Sequence, residues 1–279
     1  MRPARLTLPA LALLTLLVGC TSEGSPPEAE PGTTAPTSAS PEASPAPEPP
    51  APPADGACYR LSYDAALAPT TSEGAVRCAG DHTAETFHVG RLDRVVDGRL
   101  LAVDARRLQD QVASTCPGLL AGHVGGTEEQ RRLSMLRPVW FTPTLRQSDA
   151  GADWFRCDVV AVARESRLLP LTGPLDGVLD TEAGRARYGM CATARPGTDG
   201  FQRVACAETH SWVALRSVPL PGPDHPGESA ARRAGEAPCR AAARDRADDS
   251  LSFEWGYEWP TEEQWDAGQT YGICWAPRG

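Results

Sequence analysis

The sequence predicts an α+β fold of two similar disulfide-stabilised lobes, each a small, mostly antiparallel sheet with one main helix. Three observations carry that expectation: cysteines that recur in order, a gap-free repeat around two of them, and short strand patterns flanking one helical pattern in each half. Eight cysteines fall as Cys58, Cys78, Cys116 and Cys157, then Cys191, Cys206, Cys239 and Cys274. Val76-Arg-Cys78-Ala-Gly-Asp-His82-Thr aligns with Val204-Ala-Cys206-Ala-Glu-Thr-His210-Ser without a gap, and Pro143 to Cys157 aligns with Pro260 to Cys274. The spacing between equivalent cysteines shrinks steadily along the chain, as loop deletions in the second copy would produce.

Each element follows from its pattern. Short strands are expected around Cys58 and Cys78 and over Glu85 to Val89. Leu108, Val112, Cys116, Leu120 and Val124 recur every fourth residue, which predicts a helix from Asp104 to about Val124, bent or restarted at Pro117. Ala230 to Arg246 is its counterpart, with Ser229 as the expected cap and Pro238 again beside the cysteine. Thr127-Glu-Glu-Gln130 and Thr261-Glu-Glu-Gln264 have the form of capping boxes opening short helical turns. Closing strands are expected over Ser134 to Thr142 and Trp154 to Ala163, then Leu251 to Trp259 and Tyr271 to Trp275.

Ahead of these lobes the chain is organised for export. Arg2 and Arg5 precede an apolar run from Leu6 to Val18 that is too short for a permanent membrane span. Leu17-Val18-Gly19-Cys20 resembles the box read by lipoprotein signal peptidase, so residues 1–20 are expected to be a leader with Cys20 lipidated. Residues 21–55 contain eleven of the 27 prolines and no large apolar residue, a composition that cannot offset its chain entropy and favours an extended tether. At about 3.1 Å per residue it would reach on the order of 100 Å. The expected order is leader, tether, lobe 1 over 56–163, connector over 164–188, and lobe 2 over 189–279. The expected location is the outer face of the cell membrane, reached through the lipid alone.

Charge and chemistry narrow the function classes. The formal net charge is −9, every basic side chain is arginine, and loss of Arg2 and Arg5 makes the exported chain more negative still. Nucleic acid is therefore not an expected partner. An even cysteine count with repeated spacing in an exported chain reads as a disulfide framework. Four cysteines per copy allow three connectivities and spacing does not select one; the pairing taken is first to second and third to fourth. The repeated Cys-x3-His, with Glu85 in the first copy, also suits zinc, but an oxidising compartment removes the thiolates. No metal, cofactor or catalytic residue is expected, because no nucleophile elbow, His-Glu-x-x-His or phosphate loop is present. His82, Glu85, His210 and Trp212 are the candidate binding residues, with Trp212 and the later tryptophans placed at a cleft between lobes.

Gly56-Ala-Cys58, then Val76-x-Cys78-x3-His82-x2-Glu85, a helix cysteine and a closing Pro-Thr…Gly…Cys together resemble the septum formation-related domain. That family occurs in actinobacterial membrane proteins and lipoproteins. The run Leu169 to Gly177 looks like the family's segment after its last cysteine. The resemblance covers about 56–276 as two tandem copies, the second lacking the glutamate. It implies an envelope role near division and supplies no chemistry. The expected function is a non-catalytic module that engages an envelope or division protein, the alternative being a lipoprotein that presents a small molecule or wall fragment. An aromatic-lined pocket between lobes would favour the second, a flat apolar patch the first.

Overall fold

A computed structural model describes residues 48–279; the expected leader, Cys20 and the expected tether up to residue 47 lie outside the described residues. Lobe 1 opens with β1 (Cys58–Tyr59), α1 (Tyr63–Leu67), β2 (Ala75–Val76) and β3 (Ala84–Arg91). A small hairpin, β4 (Val95–Val96) with β5 (Arg99–Leu100), leads to the main helix α2 (Arg106–Val124) and the turn α3 (Glu128–Arg132). Then come β6 (Leu136–Phe141), α4 (Leu145–Asp149), β7 (Trp154–Arg164) and β8 (Arg167–Leu168). After a 3-10 turn at Val178–Asp180 and α5 (Glu182–Tyr188), lobe 2 runs β9 (Met190–Ala192), β10 (Arg203–Ala205), β11 (Trp212–Pro219), α6 (Glu228–Arg246), β12 (Gly256–Glu258), α7 (Glu262–Asp266) and β13 (Tyr271–Pro277).

The duplication is written in the sheets. Lobe 1 has the strand order β2-β1-β3-β7-β6, with β8 added to β7, and lobe 2 has β10-β9-β11-β13-β12. These are the same order, and the pairings are antiparallel. Even the irregularity recurs: β3 is bulged against β7 between Thr86 and His88, and β11 against β13 between Ala214 and Arg216. A bulge adds one residue and re-aims the strand, so both copies bend at one point.

Disulfides fasten each lobe at two places: Cys58–Cys78 and Cys116–Cys157 in the first, Cys191–Cys206 and Cys239–Cys274 in the second. One bridge ties the second strand of the sheet to the turn that follows its edge strand, and the other pins the main helix to the strand beneath it. Each contributes about 2–4 kcal/mol, chiefly by restricting the unfolded chain.

Local chemistry accounts for most element ends. Thr127 and Thr261 close capping boxes with Gln130 and Gln264, and Thr144 with Gln147 makes a third at the position matching Thr261. Three expectations need correction. α2 is continuous through Pro117, because its buried face (Leu108, Val112, Cys116, Val124) and the Cys116 bridge outweigh the lost backbone bond. α6 begins at Glu228 with Gly227 as its cap at φ 81°, so Ser229 lies inside the helix; the positive φ selects glycine there. β12 is only Gly256–Glu258, because Asp249 turns the chain by accepting from the Leu251 N–H and leaves Leu251 exposed.

The lobes are not separated by a cleft. Val124, Leu136 and Val159 from lobe 1, Leu171, Leu175 and Leu179 from the connector, and Met190, Trp212, Ile273 and Trp275 from lobe 2 form one core. Main-chain bonds cross the same boundary, with Met135 N–H donating to Tyr188 O (2.7 Å) and Met190 N–H to Leu133 O (2.7 Å). The connector is therefore packed structure rather than a loose link. Burial of this size is the dominant favourable term in such a fold.

Candidate functional site

The Cys-x3-His-x2-Glu pattern is assembled at the N-terminal end of β3. Cys58 on β1 lies opposite both Val76 on β2 and Glu85 on β3, and its disulfide to Cys78 holds the tight turn at Arg77–Gly80 against the sheet. That turn places Gly80 O 2.8 Å from His82 Nδ1. A carbonyl only accepts, so Nδ1 carries a proton and Nε2 is the ring nitrogen left for another partner. His82 is 1% exposed, and its Nε2 has no hydrogen-bond partner among the described residues. Cys58 Sγ, a ring nitrogen of His82 and a carboxylate oxygen of Glu85 lie within 4.8 Å of one another. Joined to Cys78, the sulfur offers no thiolate.

Glu85 is buried and faces two ways. One oxygen accepts from the Leu175 N–H at 3.0 Å, and the other lies 3.3 Å from His123 Nε2. His123 stands in the last turn of α2 and stacks on Phe87, with ring centroids 5.4 Å apart. The connector is thus strapped over the motif at three points: Leu171 N–H to His82 O (2.9 Å), Leu175 N–H to Glu85, and Gly177 N–H to His123 O (2.7 Å). Gly177 adopts φ 62°, which lets the strap turn into the 3-10 segment.

Lobe 2 repeats only part of this arrangement. His210 Nδ1 faces Glu208 O at 2.8 Å, the posture of His82, with Cys191–Cys206 beside it. Val213 stands where lobe 1 has Glu85, and it lines a cavity of about 220 Å³ at the lobe boundary with Leu133, Met190 and Cys206. Trp212 is 7% exposed and belongs to the shared core. The structure therefore gathers His82 and Glu85 with His123, and leaves His210 and Trp212 apart from them.

A family model described as Septum formation matches residues 55–274. The chain belongs to the septum formation family. Neither the curated proteins nor the solved structures provide a match. Within this septum formation fold, His82 and Glu85 of the first-copy motif both hold the connector.

Two features escaped the sequence. Arg156 and Asp158 are both buried in lobe 1, 3.1 Å apart, with Thr86 Oγ1 donating to Asp158 at 2.7 Å and the guanidinium 3.5 Å from the centre of the Tyr59 ring. Burial pushes the Asp158 carboxyl up to about 6, against the opposing pull of Arg156. The second is an open groove of about 470 Å³ on lobe 2, where half-buried Trp255 and Trp259 sit among exposed Arg195, Arg232 and Arg233. The late cluster of tryptophans signals this groove, but only the fold separates its two members from Trp212, Trp265 and Trp275, which are buried.

Proposed function

We propose that this chain is a lipid-anchored, non-catalytic interaction module on the outer face of the cell membrane, serving septum formation by engaging an envelope or division protein. The observation that carries this reading is the lobe 2 groove. Trp and Arg are the side chains that most often anchor protein recognition, and here both are presented to solvent on a rigid helix and sheet edge. The groove suits a partner offering apolar and acidic groups together. The family match supplies the link to septation. Four disulfides suit an oxidising compartment, and the Leu17-Val18-Gly19-Cys20 box supports the anchor. The non-catalytic part rests on the site itself, where Glu85 holds a main-chain N–H and the His82 and His123 carbonyls anchor the strap. Presentation of a small molecule is the weaker reading. The cavity at the lobe boundary, about 220 Å³, is below the roughly 300–1,000 Å³ of ordinary ligand pockets, and the groove of about 470 Å³ is within that range but open to solvent rather than enclosing.

Time-lapse imaging of a fluorescent fusion at native level tests the proposal. The expected result is enrichment at the septum, lost in a Trp255→Ala/Arg233→Ala variant of unchanged abundance. A uniform envelope signal through the whole division cycle overturns the septal role and puts ligand presentation first.

A further inference from the structure

We propose that the Cys58–Cys78 disulfide masks a zinc site, which a dithiol reductant opens to the ligand set Cys58, Cys78, His82 and Glu85. Two thiolates, an imidazole and a carboxylate are ordinary zinc donors in tetrahedral geometry. Three of the four already converge, since Cys58 Sγ, a His82 nitrogen and a Glu85 oxygen lie within 4.8 Å of one another. The fourth, Cys78 Sγ, is bonded to the first. His82 is set up as a ligand: its Nδ1–H is held by Gly80 O at 2.8 Å, the backbone bond that typically orients a metal-binding histidine, and its Nε2 is buried without a partner. Glu85 keeps one oxygen on the Leu175 N–H, and the other, now 3.3 Å from His123 Nε2, turns from that ring to the ion.

The exposure of the two sulfurs sets the course of reduction. Cys58 is 0% exposed and Cys78 is half-buried, so the reductant's thiolate attacks Cys78 Sγ and expels Cys58 as a thiolate into the cluster. The reductant's second thiol then attacks its own sulfur in the mixed disulfide and releases Cys78 as a thiolate. The dithiol loses two electrons and two protons and becomes a disulfide; the protein gains the two electrons. Two thiolates beside the Glu85 carboxylate place three negative charges at the edge of a poorly solvating interior, and a divalent cation offsets two of them. Any proton that either sulfur has taken up leaves when Zn2+ binds. Lobe 2 is the internal control, because Cys191, Cys206 and His210 repeat the pattern and Val213 replaces the carboxylate.

The test uses the purified full chain, reduced anaerobically with dithiothreitol, desalted, and titrated with Co2+ and then Zn2+, with folding followed by circular dichroism. The expected result is one equivalent of tetrahedral cobalt with a thiolate charge-transfer band, absent before reduction and displaced by Zn2+. His82→Ala abolishes the band, Glu85→Gln weakens binding at least about tenfold, and Cys191→Ser/Cys206→Ser leaves it unchanged. The proposal is overturned by a folded reduced chain without the cobalt spectrum, by a spectrum that survives both His82→Ala and Glu85→Gln, or by its loss with the lobe 2 pair. A reduced chain that is unfolded with and without metal overturns it equally.

Discussion

The two lobes share a strand order, a bulge and a disulfide plan, and differ in how they use the sheet face opposite the main helix. In lobe 1 that face is covered by its own α1 segment, and Arg156 and Asp158 are buried there beside Tyr59 and Phe141. In lobe 2 the aligned residues are Ile273 and Trp275, both 0% exposed, and they pack into the core shared with lobe 1 and the connector. The register is the same, with Thr86 opposite Asp158 and Ala214 opposite Trp275. One framework thus holds a buried ion pair in one copy and a lobe-joining apolar surface in the other. The backbone plan tolerates both, and the side chains decide which surface a copy keeps for itself.

Breaking the ion pair is expected to have the largest effect. Asp158→Ala leaves a buried, unpaired Arg156 and should cost about 3–5 kcal/mol in urea unfolding. Arg156→Met/Asp158→Leu, which makes lobe 1 apolar in the manner of lobe 2, should be neutral or stabilising; a double variant as unstable as Asp158→Ala would show that the pair itself holds the lobe.

A pH series sharpens the same contrast. Asp158 has its folded value raised from 3.8 to about 6. Between those limits the folded chain keeps a proton that the unfolded chain has released, so stability falls as pH rises through the window and this contribution is flat above it. The loss amounts to at most about 3 kcal/mol. Asp158→Asn should remove that slope from the urea midpoints between pH 4 and pH 6.5, and an unchanged slope would assign it to other groups.

The smallest expected effect comes from giving lobe 1 the lobe 2 residue at the motif. Glu85→Val leaves the Leu175 N–H without its acceptor and should cost about 1–3 kcal/mol. Hydrogen exchange at Leu175 should accelerate while lobe 2 amides keep their protection.

Much of this architecture was legible because it is local or repeated. The Thr-x-x-Gln signals mark helix starts, the period-four apolar residues mark α2, and the cysteine order matches the disulfides present. What stayed hidden depends on long-range neighbours. Trp212 and Trp255 are one residue type in one lobe, and only the packing of Ile273 and Trp275 against the connector buries the first and leaves the second open. Arg156 and Asp158 flank Cys157 on a strand, where alternating polar residues ordinarily signal a solvated face; α1 and Tyr59 cover that face instead. His82 and Glu85 stood out by their spacing, but their link to His123 spans α2 and carries no sequence signature. Leu251 reads as a strand residue until Asp249 turns the chain ahead of it.

The position of Trp275, in a core that both copies share, makes each copy the cover of the other. A lone first copy would show water Val124, Leu136 and Val159, and a lone second copy a contiguous patch of Ile273, Trp275, Trp212 and Met190, the kind of surface that drives aggregation. Loops can shorten without touching that core, as the closer cysteine spacing of the second copy shows, whereas removing either copy uncovers the face of the other.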